Sequence, residues 1–226
     1  GPNINIPVLS DGASTNYLIS KNASIIVAGG TLNKDVGTSI TSYGNLSVLT
    51  GTLSVLASDG LVLKDQGLFR SFGGTSTLNQ LTTSQGTGAL IEQGQGLFQT
   101  GGDITIVGNG GNTGKKNFEF SFDTNVIILS GGTLTINGGD QAASNGLVIN
   151  STPDRVTASG GNVYFVIDQP GTFEISSTVQ LWNVDLVDSD GTGSNEFELQ
   201  TSFSVNADFA ITNSPNNAVL DANAND

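Results

Sequence analysis

The sequence predicts an all-β chain wound as a right-handed parallel β-helix, a solenoid of roughly ten irregular coils. Three observations carry this reading. Short apolar/polar alternating segments follow one another from end to end, and most are introduced by Gly or Asn, the pattern of half-buried strands between turns. The composition is rich in turn and strand formers and poor in helix formers: Gly contributes 31 of 226 residues and charged residues only 12%, about half the usual charged share. Finally, the chain repeats itself. IIVAGGTL at 25–32 returns as IILSGGTL at 127–134, and GLVLKDQGLFRSFGG at 60–74 is echoed, at a spacing of 28 and with a one-residue slip, by GALIEQGQGLFQTGG at 88–102. Repetition at tens of residues marks a solenoid or array.

Taken in order, the first strand candidates are ASIIVA (23–28), GNLSVLT (44–50), GTLSVLA (51–57), GLVLKD (60–65) and GLFRSF (67–72). Next come GALIEQ (88–93), GLFQT (96–100), GDITIVG (102–108), FEFSF (118–122), NVIILS (125–130) and GTLTING (132–138). GLVINS (146–151), NVYFVID (162–168), GTFEIS (171–176), VQLWNVDLV (179–187), EFELQ (196–200) and SFSVNADFAI (202–211) complete the series. Each is too short and too β-branched for a helix. A pair of tandem β-sandwiches is the alternative, since it also shows short strands at close spacing. It gives no reason for Gly-Gly-Thr-Leu to return, whereas stacked corners do: a solenoid needs Gly or Asn wherever the backbone turns through positive φ. In IILSGGTLTINGG, Ile127, Ile128 and Leu129 are expected to line the core, Gly131-Gly132 to turn the chain, and 133–136 to alternate out and in. Residues 1–212 read as one β-helical domain, and 213–226 as a frayed tail or the start of another coil.

Charge narrows the partners. Seven basic residues face 20 acidic ones, a net −13, which repels phosphate backbones and anionic membrane surfaces. There is no Cys, so disulfides and thiolate metal sites are excluded. No apolar run approaches the ~20 residues of a membrane span. The chain has no Met and opens on Gly1-Pro2, which suggests a section of a longer, processed protein.

Few segments invite a chemical reading. GNGGNTGKK (108–116) looks like a phosphate cradle but has Asn109 and Lys116 where the P-loop pattern needs Gly and Ser or Thr. Loops 109–117 and 139–146 are expected to protrude. Asp185, Asp188, Asp190 and Glu196 crowd a D-x-D-G turn. Hard carboxylate oxygens around such a turn suit Ca²⁺, although EF-hand spacing is absent. These four are the candidate calcium ligands, and a solvated acidic turn is the competing reading. The pairs Asp185/Asp188 and Asp188/Asp190 are also the candidates for paired-carboxylate chemistry on a polysaccharide. Without His, and with only Arg70 and Arg155 as arginines, no catalytic residue is assigned. An ice-binding face needs ranks of T-x-T; Thr133-Leu134-Thr135 is one instance and GDITIV half of another. Trp182, Tyr164 and Phe165 are read mainly as core, with sugar stacking as the alternative.

GGTLTINGG, GTLSVLA and GLVINS resemble the passenger β-helices of bacterial autotransporters and filamentous-haemagglutinin-like exported proteins. The stretch from Val179 to Ile211, with Trp182-Asn183-Val184 and Phe203-Ser204-Val205-Asn206, resembles giant repetitive bacterial cell-surface proteins. The resemblance rests on repeat style over most of the chain. It implies an extracellular, surface-displayed adhesin or stalk that presents a face or loops to a glycan or protein surface. It implies no catalytic residue. A carbohydrate-active β-helix, lyase or hydrolase, is the alternative function.

Overall fold

A computed structural model of the chain describes residues 8–10, 16–84, 95–108, 116–138, 146–190, 195–213 and 219–221. Loop stretches 109–115 and 139–145, including most of the P-loop-like segment, lie outside them.

Two parallel sheets make the body of a β-solenoid. Sheet A contains β1 (Val8–Ser10), β3 (Ser24–Lys34), β5 (Asn45–Val55), β7 (Leu68–Ser71), β8 (Thr75–Leu78) and β10 (Gly96–Gln99). It continues through β11 (Asp103–Ile106), β13 (Val126–Asn137), β15 (Val156–Ile167), β18 (Asn183–Asp188) and β21 (Phe209–Asn213). Sheet B begins with β2 (Tyr17–Ile19), β4 (Ile40–Ser42), β6 (Leu61–Lys64), β9 (Leu81–Ser84) and β12 (Phe118–Phe120). It ends with β14 (Gly146–Ile149), β16 (Thr172–Ser177), β19 (Glu196–Leu199) and β22 (Val219–Asp221). A short pair, β17 (Gln180–Leu181) with β20 (Ser204–Val205), closes one corner. The expected parallel β-helix is therefore the fold.

The coils number fewer than expected. Nine strand ranks are stacked along each sheet, and the solenoid makes about seven turns rather than ten. The reason is coil length. Leu61 stacks on Leu81, 20 residues on, but Leu81 stacks on Phe118, 37 residues on. Ladder pairing fixes only the strands, so a coil can absorb a long excursion between them. The strand β22 carries the stack into the region read as a tail or a further coil.

Alternation builds the core. In sheet A one inward column runs Leu32, Leu53, Ser76, Ile104, Leu134, Val163, Val184, Phe209. The next runs Lys34, Val55, Leu78, Ile106, Ile136, Phe165, Leu186, Ile211. Between their ends these columns are almost free of solvent. At the last rank Phe209 and Ile211 are exposed, because no further coil of the described chain covers them. At the first rank the second column begins with a fully buried lysine, Lys34, whose Nζ lies 4.8 Å from the centre of the Tyr17 ring. Phe165 stacks on Phe173 across the sheets at 5.4 Å.

The Gly-Gly corner recurs in register. Gly51, Gly74, Gly102, Gly132 and Gly161 stack one on the next with φ between +70° and +91°, and in the coil before them the positive φ falls one position earlier, at Gly29 (+80°); this is the left-handed region that suits glycine. From Gly51 onward a second constraint applies. A Cβ on Gly51 would sit 2.4 Å from the Gly30 carbonyl oxygen, and one on Gly132 would sit 2.2 Å from that of Gly102. Each corner lies directly against the corner of the preceding coil, so only glycine fits.

Two details correct the sequence reading and one bears it out. Ile128 points outward, between buried Ile127 and Leu129, because the strand runs straight to the corner and keeps its period of two. The spacing of 28 with its one-residue slip between the GLF motifs at 67 and 96 is the pairing found. Phe69 meets Leu97 inside, while Phe98 faces out under Arg70, whose guanidinium is 5.6 Å from its ring. The corner pairing of Gly74 with Gly102 sets this slip. Asparagine, finally, is not chiefly a positive-φ residue here: among the described non-glycine residues only Asn22 and Asp65 have positive φ. Buried asparagines instead bridge coils through their amides. Asn79 donates to the carbonyls of Ala57 and Ser58, and Asn117 to those of Asn137 and Gly138. These amides tie one coil to the next where the chain leaves the ladder.

Candidate binding face and acidic corner

Sheet A presents seven three-residue units, six after a glycine corner and the last after Trp182, whose outer members are polar and whose middle member is buried. In rank order the units are Thr31-Leu32-Asn33, Thr52-Leu53-Ser54, Thr75-Ser76-Thr77, Asp103-Ile104-Thr105, Thr133-Leu134-Thr135, Asn162-Val163-Tyr164 and Asn183-Val184-Asp185. The ladder pairs them without a register shift from the first unit to the last. Shifts occur only at the corners.

Two outward columns result. One runs Thr31, Thr52, Thr75, Asp103, Thr133, Asn162, Asn183; the other Asn33, Ser54, Thr77, Thr105, Thr135, Tyr164, Asp185. Strand geometry sets the grid at about 4.8 Å between coils and about 6.7 Å between columns. Neighbouring groups bond along the axis: Thr52 and Thr75 hydroxyls lie 3.4 Å apart, and the Asn183 amide donates to the Asn162 side-chain oxygen at 3.0 Å. In a chain of net charge −13, these two columns hold only two charged residues, Asp103 and Asp185. In the sequence T-x-T appears isolated. Pairing shows it as one rank among related ones, whose Ser, Asn and Asp variants hide the series from a motif search. Tyr164 stands on this face, Phe165 is core, and Trp182 is half-buried.

The acidic residues do not converge as a group of four. Asp185 and Asp188 are three apart on one strand, so they leave opposite faces of β18. Asp185 points out and accepts the Thr212 hydroxyl on both oxygens at 3.0 Å. Asp188 points in and is 3% exposed. This separation also keeps Asp185 and Asp188 from facing one substrate as a carboxylate pair. Glu196 opens β19 in sheet B, where buried Phe197 puts Glu196 and Glu198 on the outer surface. The pair that does meet is Asp188 with Asp190, through Asn195. The Asn195 amide donates to Asp188 Oδ1 at 2.8 Å and to Asp190 Oδ1 at 2.6 Å. The segment 191–194 between them lies outside the described residues. Among the described residues, no three acidic side chains gather in a metal-holding group.

Sheet B carries its own outward acidic column, Glu174, Glu198 and Asp221, with Glu196 beside it. Lys116 neutralises Glu174 through a 2.6 Å ion pair. Partial desolvation, followed by the negative charges of Asp221 and Glu198, pushes the Glu196 carboxyl above the ordinary carboxylate range. No helix among the described residues is long and apolar enough to cross a membrane.

No protein-family model, curated protein or solved structure matches this chain.

Proposed function

We propose that this chain is a rigid, adhesive section of an exported bacterial surface protein, and that the outer face of sheet A is its binding face. The observation that carries the reading is the seven-rank ladder of hydroxyl and amide groups, nearly free of charge, on an otherwise acidic molecule. Coil-on-coil hydrogen bonding along the axis makes a stiff rod, since each coil supports its neighbours. A periodic, neutral, hydrogen-bonding surface suits a partner that is also neutral and periodic, such as a hydroxyl-rich polysaccharide. The resemblance of the repeats to exported bacterial β-helices supports the surface location.

The test is binding of the chain to insoluble neutral polysaccharides, compared with a triple variant Thr77→Lys, Thr105→Lys, Thr135→Lys. These side chains point outward, so the fold tolerates the change. Binding should fall at least about tenfold, the effect of losing ~1.4 kcal/mol of contact. Unchanged binding by the variant would refute the face, and release of soluble sugar would favour a carbohydrate-active enzyme instead.

The unbroken two-dimensional repeat favours a second reading, adsorption to the ordered water lattice of ice. Inhibition of ice recrystallisation by the chain, lost in the triple variant and strengthened by Asp103→Thr, would select it. Equal behaviour of all three proteins would exclude it.

A further inference from the structure

A second feature stands apart from the ladder. At the inner end of β18 two carboxylates share one amide hydrogen-bond donor. Asp188 Oδ1 and Asp190 Oδ1 lie 2.8 Å and 2.6 Å from the same Asn195 nitrogen. Asp188 Oδ1 also accepts the Asp190 backbone N–H at 3.4 Å. The other Asp188 oxygen, Oδ2, is fully buried and has no hydrogen-bond partner. A buried carboxylate oxygen without a donor is costly, and a second carboxylate beside it raises the cost. Two things relieve such a pair: a shared proton or a bound cation.

We infer that this corner is a site for a hard divalent cation, Ca²⁺ above others, held by Asp188 Oδ2 and the Asp190 carboxylate. Three aspects of the corner favour the cation. Asp188 already accepts two N–H bonds on Oδ1, which orient the carboxylate and leave Oδ2 as the oxygen without a donor. Asn195 is itself fixed, its side-chain oxygen accepting the Gly171 N–H at 3.1 Å, so the geometry does not depend on the ion. Asp190 is half-exposed, which gives an ion a way in. With two carboxylates and the remaining positions left to water, the affinity belongs to the weak extracellular class, about 10⁻⁴–10⁻³ M. Mg²⁺ binds less well, because it demands a stricter octahedron. The site joins β18 of sheet A to Asn195 at the start of β19 in sheet B, so an ion there staples one coil closed.

The experiment is thermal unfolding of the whole chain in chelator, then in Ca²⁺ or Mg²⁺ at about 10 mM, roughly 100 times the tighter expected dissociation constant. Ca²⁺ should raise Tm by about 5 °C, and Mg²⁺ by less. Asp188→Asn and, independently, Asp190→Asn should abolish the rise. Asp185→Asn and Glu196→Gln should retain it, since neither residue faces the corner. Isothermal titration calorimetry with Ca²⁺ gives a readout independent of stability, and its binding heat should be lost in Asp188→Asn. No Ca²⁺ response in the unaltered chain would overturn the inference in favour of a shared proton. A response surviving in both aspartate variants would overturn it by placing the ion elsewhere.

Discussion

Gly51→Ala and Gly29→Ala look alike in sequence and should behave differently. Gly51 turns the Thr50-Gly51 corner at φ +91°, and Gly29 is the positive-φ residue, at +80°, of the Gly29-Gly30 corner one coil earlier. Placing alanine in the left-handed region costs about 1–2 kcal/mol at either position. The surroundings then diverge. At Gly51 the new methyl would lie 2.4 Å from the Gly30 carbonyl oxygen and 2.9 Å from the Gly30 nitrogen. Both contacts are backbone, so relief requires one coil to move away from the next and lengthen ladder hydrogen bonds. Forced overpacking of this kind costs about 1–3 kcal/mol more. At Gly29 the nearest atom would be the Thr50 hydroxyl at 4.0 Å, an ordinary contact. Gly51→Ala should therefore destabilise by about 2–5 kcal/mol and Gly29→Ala by about 1–2 kcal/mol. Urea unfolding gives the difference if the slope is unchanged between the variants. Because repeat arrays open in parts, amide exchange in β3 and β5 should accompany it, and protection there should drop further for Gly51→Ala. Equal destabilisation of the two variants would show that coil-to-coil contact does not constrain the corner, and the stacking explanation of the repeat would fail.

Two further predictions concern the core and the acidic end. Phe165→Ala removes a fully buried ring that stacks on Phe173 and packs between Ile136 and Leu186; it should cost about 3–5 kcal/mol by urea unfolding, and a loss below about 1 kcal/mol would contradict the packing. Glu196 titrates above the ordinary carboxylate value in the folded chain, so its contribution to stability is present below the unfolded pKa and is lost as pH rises through the folded one. Acidifying from neutrality into that window should raise Tm slightly, and Glu196→Gln should raise Tm at neutral pH and flatten the dependence. An unchanged pH profile in the variant would assign the effect to another group.

How much was legible in the sequence follows from which interactions are local. Alternation of apolar and polar residues is imposed by the pleat, so the strands and most of the core could be read directly, Phe165 and Ile127 among them. Ile128 was misread because an apolar run reads the same whether its middle residue is buried or not; only the continuous strand through 126–137 sets its face. The recurrence of Gly-Gly-Thr-Leu announced stacked corners, because a backbone that must adopt positive φ under close contact leaves glycine as the one residue that fits. The coil count was legible only roughly, since the length between ladders is not constrained by the ladder.

The sites divide in the same way. D-x-D-G drew attention to the turn where Asp188 and Asp190 meet, but linear spacing could not separate Asp185 from Asp188. Three residues along a strand reverse the face, and the partner that gathers Asp188 with Asp190 is Asn195, an uncharged residue without a motif. The sequence showed only one and a half ranks of the ladder face, Thr133-Leu134-Thr135 and part of GDITIV, because units such as Thr31, Thr52 and Thr75 become neighbours only after coils of 21 to 30 residues are laid in register. By itself, then, the sequence determined the solenoid, through period-two alternation and glycines that no other side chain can replace. The tertiary structure alone decided which polar residues stand side by side, because that neighbourhood is set by hydrogen bonds between coils whose spacing the chain does not keep constant.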